Sequence, residues 1–346
     1  MKNSVALWLC GAALCFSSAL HAQQNLTQPR ASQAASVSQR IGLLDVTVNY
    51  SSPGVNKRTI WGSLVPYDQV WRCGANENTT VTFSRDAMVE GKFIAAGTYG
   101  LHMIPGKEQW MVIFSTDKDA WGSFAYNKNN DLFRVSVTPV ETTFHEWLTY
   151  EFPDRQADHA TLSLKWEKLE VPIRISINLK EQVLENMKTE LTGLAQFSWQ
   201  GWNQIANYCA ANNIHLHEAL GWVDRSINQN KNYNNLMTKS LVLRQMGRID
   251  EAKQLAKEAM PLGTEQQVNT YGYQLMGLGQ VDEALSVFQD NVKKNPKSWN
   301  VYDSLAEAYG NKGDKANAIK NYKKALEMAP ENQKARIQGI LDDLQK

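Results

Sequence analysis

The densest group of polar side chains suited to recognition chemistry lies between residues 72 and 77. Arg72 carries a planar fork of donors that matches a carboxylate or a phosphate, and Asn76 and Glu77 add directional hydrogen bonds. Aromatic rings nearby, and one in a later polar loop, would suit the face of a sugar or peptide ring. The sequence therefore predicts a pocket for a small ligand or glycan. Its proposed residues are Arg72, Asn76, Glu77, Trp61, Tyr67 and Trp121.

Two other interpretations of the same residues stay open. An Arg–Glu ion pair and an asparagine-stabilised turn would hold a loop onto a sheet without binding a ligand. Alternatively, an enzyme of an unrecognised class would have its site around Arg72, Asn76, Glu77 and His102. The enzyme hypothesis predicts a perturbed titratable group in a cleft and the convergence of Glu77 with His102. No residue is assigned a catalytic role.

Recognised catalytic and cofactor motifs are absent from the sequence. It contains no His-Glu-x-x-His, phosphate loop, dinucleotide fingerprint or Gly-x-Ser-x-Gly elbow. His102, His145 and His159 are widely scattered, and the pair His215 and His217 fits a solvated turn better than a ligand set. We therefore expect no cofactor and no bound metal.

Alternating hydrophobicity dominates the segment that carries the Arg72 group. Apolar and polar residues alternate over 44–50 and 162–166, and residues 90–92 and 105–107 have the composition of hairpin turns. Eight or more short strands without a helical period predict an all-β sandwich or jelly-roll-like domain over residues 39–178.

Several short motifs in this segment are specific enough to compare with a known family. They are residues 53–62, 64–67, 71–79, 95–99 and 121–122, the last being Trp121-Gly122. Over residues 29–173 the chain resembles the family catalogued as domain of unknown function 2911. The resemblance implies an exported bacterial protein, in some members followed by helical repeats, and it implies no established activity. Cys73 stands where relatives often carry threonine, which argues against a thiol nucleophile.

A 34-residue period marks the second half of the chain. Pro296 and Pro330 lie 34 residues apart, the period of a tetratricopeptide (TPR) unit. Small, aromatic and glycine residues between them suit closely packed helical hairpins. The pattern predicts an all-α stack of TPR-type helical hairpins over 200–346, after a linking helix at 179–199. Its parts are a degenerate repeat at 200–232, clear repeats at 233–264, 265–298 and 299–332, and a C-terminal capping helix.

The concave side of such a stack offers a groove for an extended peptide. Repeat geometry places amide, aromatic, acidic and apolar side chains along it, which suits a protein partner. The proposed groove residues are Asn234, Met237, Asn269, Tyr273, Asn300, Asp303 and Glu307. The alternative is a short stack that only packs against the β domain or caps it.

The N-terminus has the features of a secretory signal peptide. Lys2 precedes an apolar run over residues 5–16, and cleavage is predicted after Ala22. The run is too short to span a bilayer, so no transmembrane span is expected in the mature chain. Residues 23–38 are polar and are predicted to form a flexible leader. The sequence thus predicts export to the periplasm, and secretion beyond the periplasm stays open.

Global composition excludes some partners. The formal net charge is +1, which provides no field for nucleic acid, and no such partner is expected. Cys73 and Cys209 fall in different proposed domains and fit buried thiols better than a disulfide. Together the features predict a periplasmic binding or scaffolding protein. Its β domain would recognise a small ligand or partner, and its TPR stack would bind a protein. A structural envelope component without a ligand is a further alternative, beside the enzyme.

Overall fold

The computed structural model describes residues 28–346, which divide into a unit ending at Ile177 and a unit beginning at Asn178. The predicted signal peptide, residues 1–22, lies outside the described residues. Within the described part, ten strands precede ten α-helices. The prediction of an all-β domain followed by an all-α helical stack is therefore confirmed. No helix of residues 28–346 is long and apolar enough to cross a membrane.

The strands of the first unit form two antiparallel sheets. Their bounds are β1 Gln33–Ile41, β2 Leu44–Ser52, β3 Thr79–Phe83, β4 Ala87–Val89, β5 Lys92–Ile94, β6 Gly97–Ile104, β7 Trp110–Ser115, β8 Asp131–Val137, β9 Val140–Arg155 and β10 His159–Ser176. The larger sheet has the order β1-β2-β3-β6-β7-β8, and the smaller has the order β5-β4-β10-β9. Register shifts interrupt the long β9–β10 pair at three places, as bulges do where a strand bends.

Strand β1 corrects one predicted boundary. It pairs with β2 along its whole length, from Gln33 opposite Ser52 to Ile41 opposite Leu44. The prediction of a flexible leader over residues 23–38 is therefore wrong from Gln33 onward. The polar composition misled because β1 is an edge strand of its sheet, and most of its residues remain accessible to solvent.

The two sheets enclose a core that is rich in tryptophan. The Trp61 ring lies 4.9 Å from that of Trp110 on β7 and 5.7 Å from that of Trp166 on β10, both at steep interplanar angles. Trp71 stacks on Trp166 at 6.0 Å. These edge-to-face and stacked pairs join one strand of each sheet, and such pairs stabilise beyond their buried area. We call these four residues the tryptophan cluster.

The helices of the second unit form consecutive hairpins. Their bounds are α1 Leu179–Glu190, α2 Trp199–Asn212, α3 Leu216–Gln229, α4 Tyr233–Gln245, α5 Ile249–Ala259, α6 Glu265–Gly277, α7 Val281–Lys294, α8 Trp299–Lys312, α9 Lys315–Met328 and α10 Glu331–Gln345. Helix α1 ends at Glu190, and a short 3-10 helix at Leu194–Phe197 follows. The prediction of one continuous linking helix over 179–199 is therefore wrong in its second half.

Small residues allow these helices to pack closely, and capping side chains determine where two of them begin. A Cβ added at Gly272 on α6 would lie 2.5 Å from the Phe288 ring on α7, so only glycine allows this approach of the two helices. Reciprocal capping boxes begin α4 at Asn232 and α6 at Thr264, and they satisfy backbone donors that the first helical turn leaves free. The repeat pattern thus encodes both the packing and the ends of the hairpins.

Candidate functional site

The loop that carries Arg72 is held by buried hydrogen bonds. Cys73 and Asn76 both have left-handed backbones, with φ of 56° and 59°, a conformation that costs of the order of 1 kcal/mol for a residue with a side chain. The carbonyl of Cys73 accepts bonds from the Thr79 hydroxyl at 3.2 Å and the Tyr150 hydroxyl at 3.0 Å. The surrounding bonds therefore hold an unfavourable backbone conformation directly after Arg72.

Arg72 lies against Gly122 without an acceptor. A Cβ added at Gly122, whose φ is +68°, would lie 2.3 Å from Nη1 of Arg72. The Nε atom of Arg72 is enclosed and has no hydrogen-bond partner among the described residues. The side chain is partly buried, and burial lowers the pKa of its guanidinium. The group nevertheless stays charged, because an arginine does not deprotonate in proteins.

Arg30 joins two of the predicted pocket residues. It forms an ion pair with Glu77, and its guanidinium lies 5.6 Å from the ring centroid of Trp121. The hydrogen bond from Arg30 lowers the pKa of Glu77. Asn76 donates to the carbonyl of Ser32 at 3.1 Å. The segment before β1 therefore lies across the Arg72 loop and brings Glu77 and Trp121 together.

The other two predicted aromatic residues contact different partners. Trp61 belongs to the tryptophan cluster, and its Nε1 atom is enclosed. Tyr67 packs on Gly62, where an added Cβ would lie 2.7 Å from the tyrosine ring. Trp61 thus serves the core, whereas Trp121 is 56% exposed, as the polar loop around it indicated.

His102 lies beneath the same loop that carries Gly122. It is 2% exposed, its Nδ1 lies 3.1 Å from Oγ of Ser123, and its ring lies 5.2 Å from that of Tyr126. Burial lowers the pKa of His102 to about 4, although Asp131 and Asp117 act in the opposite direction. The imidazole is therefore neutral near pH 7. Arg72 and His102 contact neighbouring residues of one loop.

A catalytic histidine would need a carboxylate partner, but the carboxylate of Asp131 is bound in an adjacent hydrogen-bond network. The Tyr126 hydroxyl donates to Asp131 at 2.7 Å, and Arg134 donates to both, through Nε to Asp131 at 2.7 Å and through Nη2 to the tyrosine oxygen at 2.6 Å. Burial raises the pKa of Tyr126 to about 12. Among the described residues, Glu77 pairs with Arg30 while His102 faces Ser123. The contacts of Ser123 with His102 and of Tyr126 with Asp131 hold the loop over residues 117–127, which we call the lid loop.

The helical unit contains an open groove of about 680 Å³. Helices α2, α4 and α6 supply its lining, which comprises amide, apolar and aromatic side chains with one arginine. The residues are Asn203, Asn207, Asn234, Met237, Thr238, Ser240, Leu241, Arg244, Tyr271, Gln274, Leu275, Gly277 and Leu278. Two predicted groove residues, Asn234 and Met237, are in this set. Oδ1 of Asn203 is enclosed and has no partner within residues 28–346.

Two of the remaining predicted groove residues bind each other. The Tyr273 hydroxyl on α6 donates to Oε2 of Glu307 on α8 at 2.8 Å and lies 3.2 Å from the Ser304 hydroxyl. Burial raises the pKa of Tyr273. Oδ1 of Asn269, also on α6, is enclosed without a partner in the described part of the chain. These contacts tie α6 to α8.

Two further predicted groove residues lie at contacts between helices. Asp303 on α8 is 7% exposed and accepts a bond from Nη2 of Arg336 on α10 at 2.8 Å. Burial raises the pKa of Asp303, although Arg336 acts against that rise. Asn300 donates to Glu265 at a long 3.4 Å. Asp303 therefore contributes to the packing of α10 as well as to the face of the stack.

Sequence reasoning missed Asn203, Asn207 and Arg30. The two asparagines are spaced i, i+4 on α2, one face of the first helix in the degenerate repeat, and that spacing was a readable signal. Arg30 carried no comparable signal, because it lies in a polar segment without periodicity. Only the fold shows that this segment crosses the Arg72 loop.

Metal and thiol chemistry receive no support from the geometry. Among residues 28–346, no group of three or more His, Cys, Asp or Glu side chains is arranged to hold a metal ion. Cys73 and Cys209 are both free and buried. Burial raises the pKa of the Cys73 thiol, which makes it a poor nucleophile.

Comparison with known families decides how both parts are classified. The family described as "Protein of unknown function (DUF2911)" matches residues 32–175, and a tetratricopeptide repeat family matches residues 300–332. The DUF2911 match lies within the first unit, and the TPR match lies within the second. The order inferred from sequence motifs, a DUF2911 domain followed by TPR repeats, is thereby confirmed.

Curated relatives match only part of the chain. Cellulose synthase operon protein C of Escherichia coli strain K12 is 30% identical over 109 residues, which is 31% of this chain and 9% of that protein. The putative protein of the same name from Escherichia coli O157:H7 matches over the same shares. The chain thus spans about a tenth of the length of these relatives.

Several solved structures are similar in part. MamA covers 45% of this chain and 85% of its own, with 17% identity and a TM-score of 0.32. YrrB, a TPR protein with an unusual peptide-binding site, covers 47% and 85%, with 19% identity and a TM-score of 0.30. The C-terminal part of a TPR repeat-containing protein from Cytophaga hutchinsonii covers 47% and 67%, with 15% identity and a TM-score of 0.34.

Proposed function

We propose that this DUF2911–TPR protein is an exported binding protein whose helical repeats hold an extended segment of a protein partner. The observation that supports this most directly is the open groove on α2, α4 and α6. It combines amide side chains with apolar ones, and a tetratricopeptide repeat family matches residues 300–332 of the same unit. Export to the periplasm is part of the proposal and rests on the sequence of residues 1–22.

The groove chemistry fits a peptide backbone. Each asparagine offers both a donor and an acceptor, as a peptide unit does, so Asn203, Asn207 and Asn234 can pair with an extended chain. Met237 and Leu278 supply apolar contact between those amides, and the flexible thioether adapts to varied side chains. Asn207 is exposed, so its amide is accessible to an incoming chain.

The β domain is proposed as a second recognition surface for a small ligand. The specific observation is Arg72, a partly buried cation without an acceptor among residues 28–346, beside the exposed Trp121. The same geometry gives less support to an enzyme, because Glu77 and His102 have different partners.

Partner capture followed by titration tests the groove. The immobilised protein is exposed to envelope extract, the captured partner is identified, and its protected segment is synthesised and titrated. We expect Asn207→Ala and Met237→Glu to weaken binding of that segment about tenfold or more, since each removes a central contact.

Two matched variants control for surface effects. Asn228→Ala on α3 repeats the first substitution, and Ile249→Glu on α5 likewise replaces an apolar side chain by glutamate. Both positions are exposed and do not line the groove. They should bind the segment as the unmodified protein does. Equal affinity for the groove variants would show that the partner binds elsewhere.

A further inference from the structure

We infer that the DUF2911 domain binds an organic oxyanion joined to a ring, with the carboxylate or phosphate on Arg72 and the ring on Trp121. This inference rests on the proposed ligand-recognising role of the β domain and gives that ligand a chemical class. It is independent of the helical groove.

The first argument is the unusual environment of Arg72. Arg40 pairs with Asp45, Arg58 donates to backbone carbonyls, and Arg134 pairs with Asp131, whereas Arg155 and Arg174 are exposed to water. Arg72 has no hydrogen bond or ion pair with another described residue, and its Nε is enclosed. Partial loss of hydration without an acceptor is costly for a cation. A bound oxyanion would replace the missing water with charge-assisted hydrogen bonds.

The second argument is the pair of exposed rings next to the guanidinium. Trp121 is 56% exposed and Phe124 is 87% exposed, and Gly122 between them contacts Arg72. Two large rings held in solvent at one loop are typical of a recognition surface. Glycine at position 122 allows the guanidinium to approach this loop closely, because a Cβ there would collide with it.

The third argument is charge. Arg30 lies over Trp121 and is paired with Glu77, so its charge is largely compensated while that of Arg72 is not. A neutral ring would leave Arg72 without an acceptor, and a cationic ligand would be repelled by it. An anionic ring compound supplies both an acceptor for Arg72 and a ring for Trp121.

The fourth argument is that the surrounding loops are already fixed. Asn78 joins them, since its backbone N–H donates to the carbonyl of Ala120 at 3.0 Å and its amide donates to that of Asp117 at 3.1 Å. Ser123 contacts His102 on the other side of the lid loop. A site built before the ligand arrives binds with less loss of conformational entropy.

Titration calorimetry with defined probes tests the inference. Benzoate, glucuronate and phenyl phosphate carry both a ring and an anion. Benzyl alcohol and glucose carry only the ring, and acetate and inorganic phosphate carry only the anion. We expect the purified full protein to bind at least one of the first group saturably in the millimolar range or tighter. It should bind the second and third groups more weakly.

Variants then assign the contacts. Arg72→Gln should weaken the best probe on the order of 10- to 100-fold, as loss of a hydrogen bond to a charged group does. Trp121→Ala should weaken it about threefold or more, and this exposed position keeps the test valid if the Arg72 variant does not fold. Arg40→Gln, the same change in an outward ion pair, should leave binding unchanged.

The outcomes separate this inference from the function of the groove. Absence of binding by every ring-bearing anion, equal binding by Arg72→Gln, or equally tight binding of acetate and phosphate would each overturn it. Met237→Glu in the helical groove should bind the probe like the unmodified protein. Unchanged partner capture by Met237→Glu, together with retained probe binding, would therefore refute the groove proposal alone.

Discussion

Protonation of His102 should destabilise the β domain as the pH falls from 7 to 4. The side chain is 2% exposed, and burial lowers its pKa to about 4, whereas an exposed histidine titrates near 6.5. Between these values the unfolded chain binds more protons than the folded one, so stability is highest above pH 6.5 and falls as the pH decreases. Linkage gives a loss of about 2 kcal/mol by pH 5 and about 3 kcal/mol by pH 4, after which this contribution levels off.

Urea denaturation followed by tryptophan fluorescence measures this loss. The matched variant is His102→Asn, whose amide can take the place of Nδ1 towards Ser123 but does not titrate. Both proteins contain the same helical unit and the same tryptophans, so these contribute equally to the two profiles. The difference in unfolding free energy between them should change by about 3 kcal/mol from pH 7 to pH 4.

A direct titration can refute the reasoning independently. The imidazole of His102 is observed by nuclear magnetic resonance in protein with labelled histidine. Titration near 6.5, or parallel stability profiles for the two proteins, would show that burial does not keep the ring neutral. The lid loop would then be held without His102, by the Tyr126–Asp131–Arg134 network and by the bonds of Asn78 to Ala120 and Asp117.

Two further predictions concern the helical unit. Gly272→Ala should lower the free energy of unfolding by about 1–3 kcal/mol, because the new methyl group meets the Phe288 ring on a tightly packed face. Gly277→Ala on the same helix is the control, since its methyl group meets nothing within 4 Å. In thermal unfolding this control should be neutral or stabilising. Arg336→Ala should cost about 2–3 kcal/mol at pH 7, because it leaves the Asp303 carboxylate buried and unpaired. In chemical denaturation the cost should shrink as the pH falls and that carboxylate protonates; an equal cost at low pH would exclude this cause.

Much of the fold follows from local periodicity. The turns at Glu90-Gly91 and around Gly106 join β4 to β5 and β6 to β7, and the glycine and alanine positions of the repeats mark where helices approach closely. These signals are readable because each depends on residues near one another in the sequence. The β1 strand was not readable, since an edge strand with a solvent face has the composition of a polar leader.

The candidate site was predicted only in part, because the contacts that join its residues link parts of the chain that are far apart in the sequence. Arg72, Glu77 and Trp121 could be chosen from their side-chain chemistry, and the motif Trp121-Gly122 already stood apart. What joins them is Arg30, together with the close approach of Gly122, and both are tertiary facts. Trp61 was predicted to line the pocket but belongs to the tryptophan cluster. Its sequence neighbours do not distinguish a ring that packs in a core from one that faces a ligand.

The lid loop links the stability argument to the binding argument. Ser123 connects it to His102, whereas Trp121 and Gly122 connect it to the proposed anion site, so one segment serves both. A ligand that binds only while this loop is fastened must stabilise the neutral form of His102, because binding and protonation then favour opposite states. The affinity of an anion bound at Arg72 should thus fall when protonation of His102 releases the loop. In this proposal the neutral histidine contributes to the site through its contact with Ser123, which keeps the loop in place.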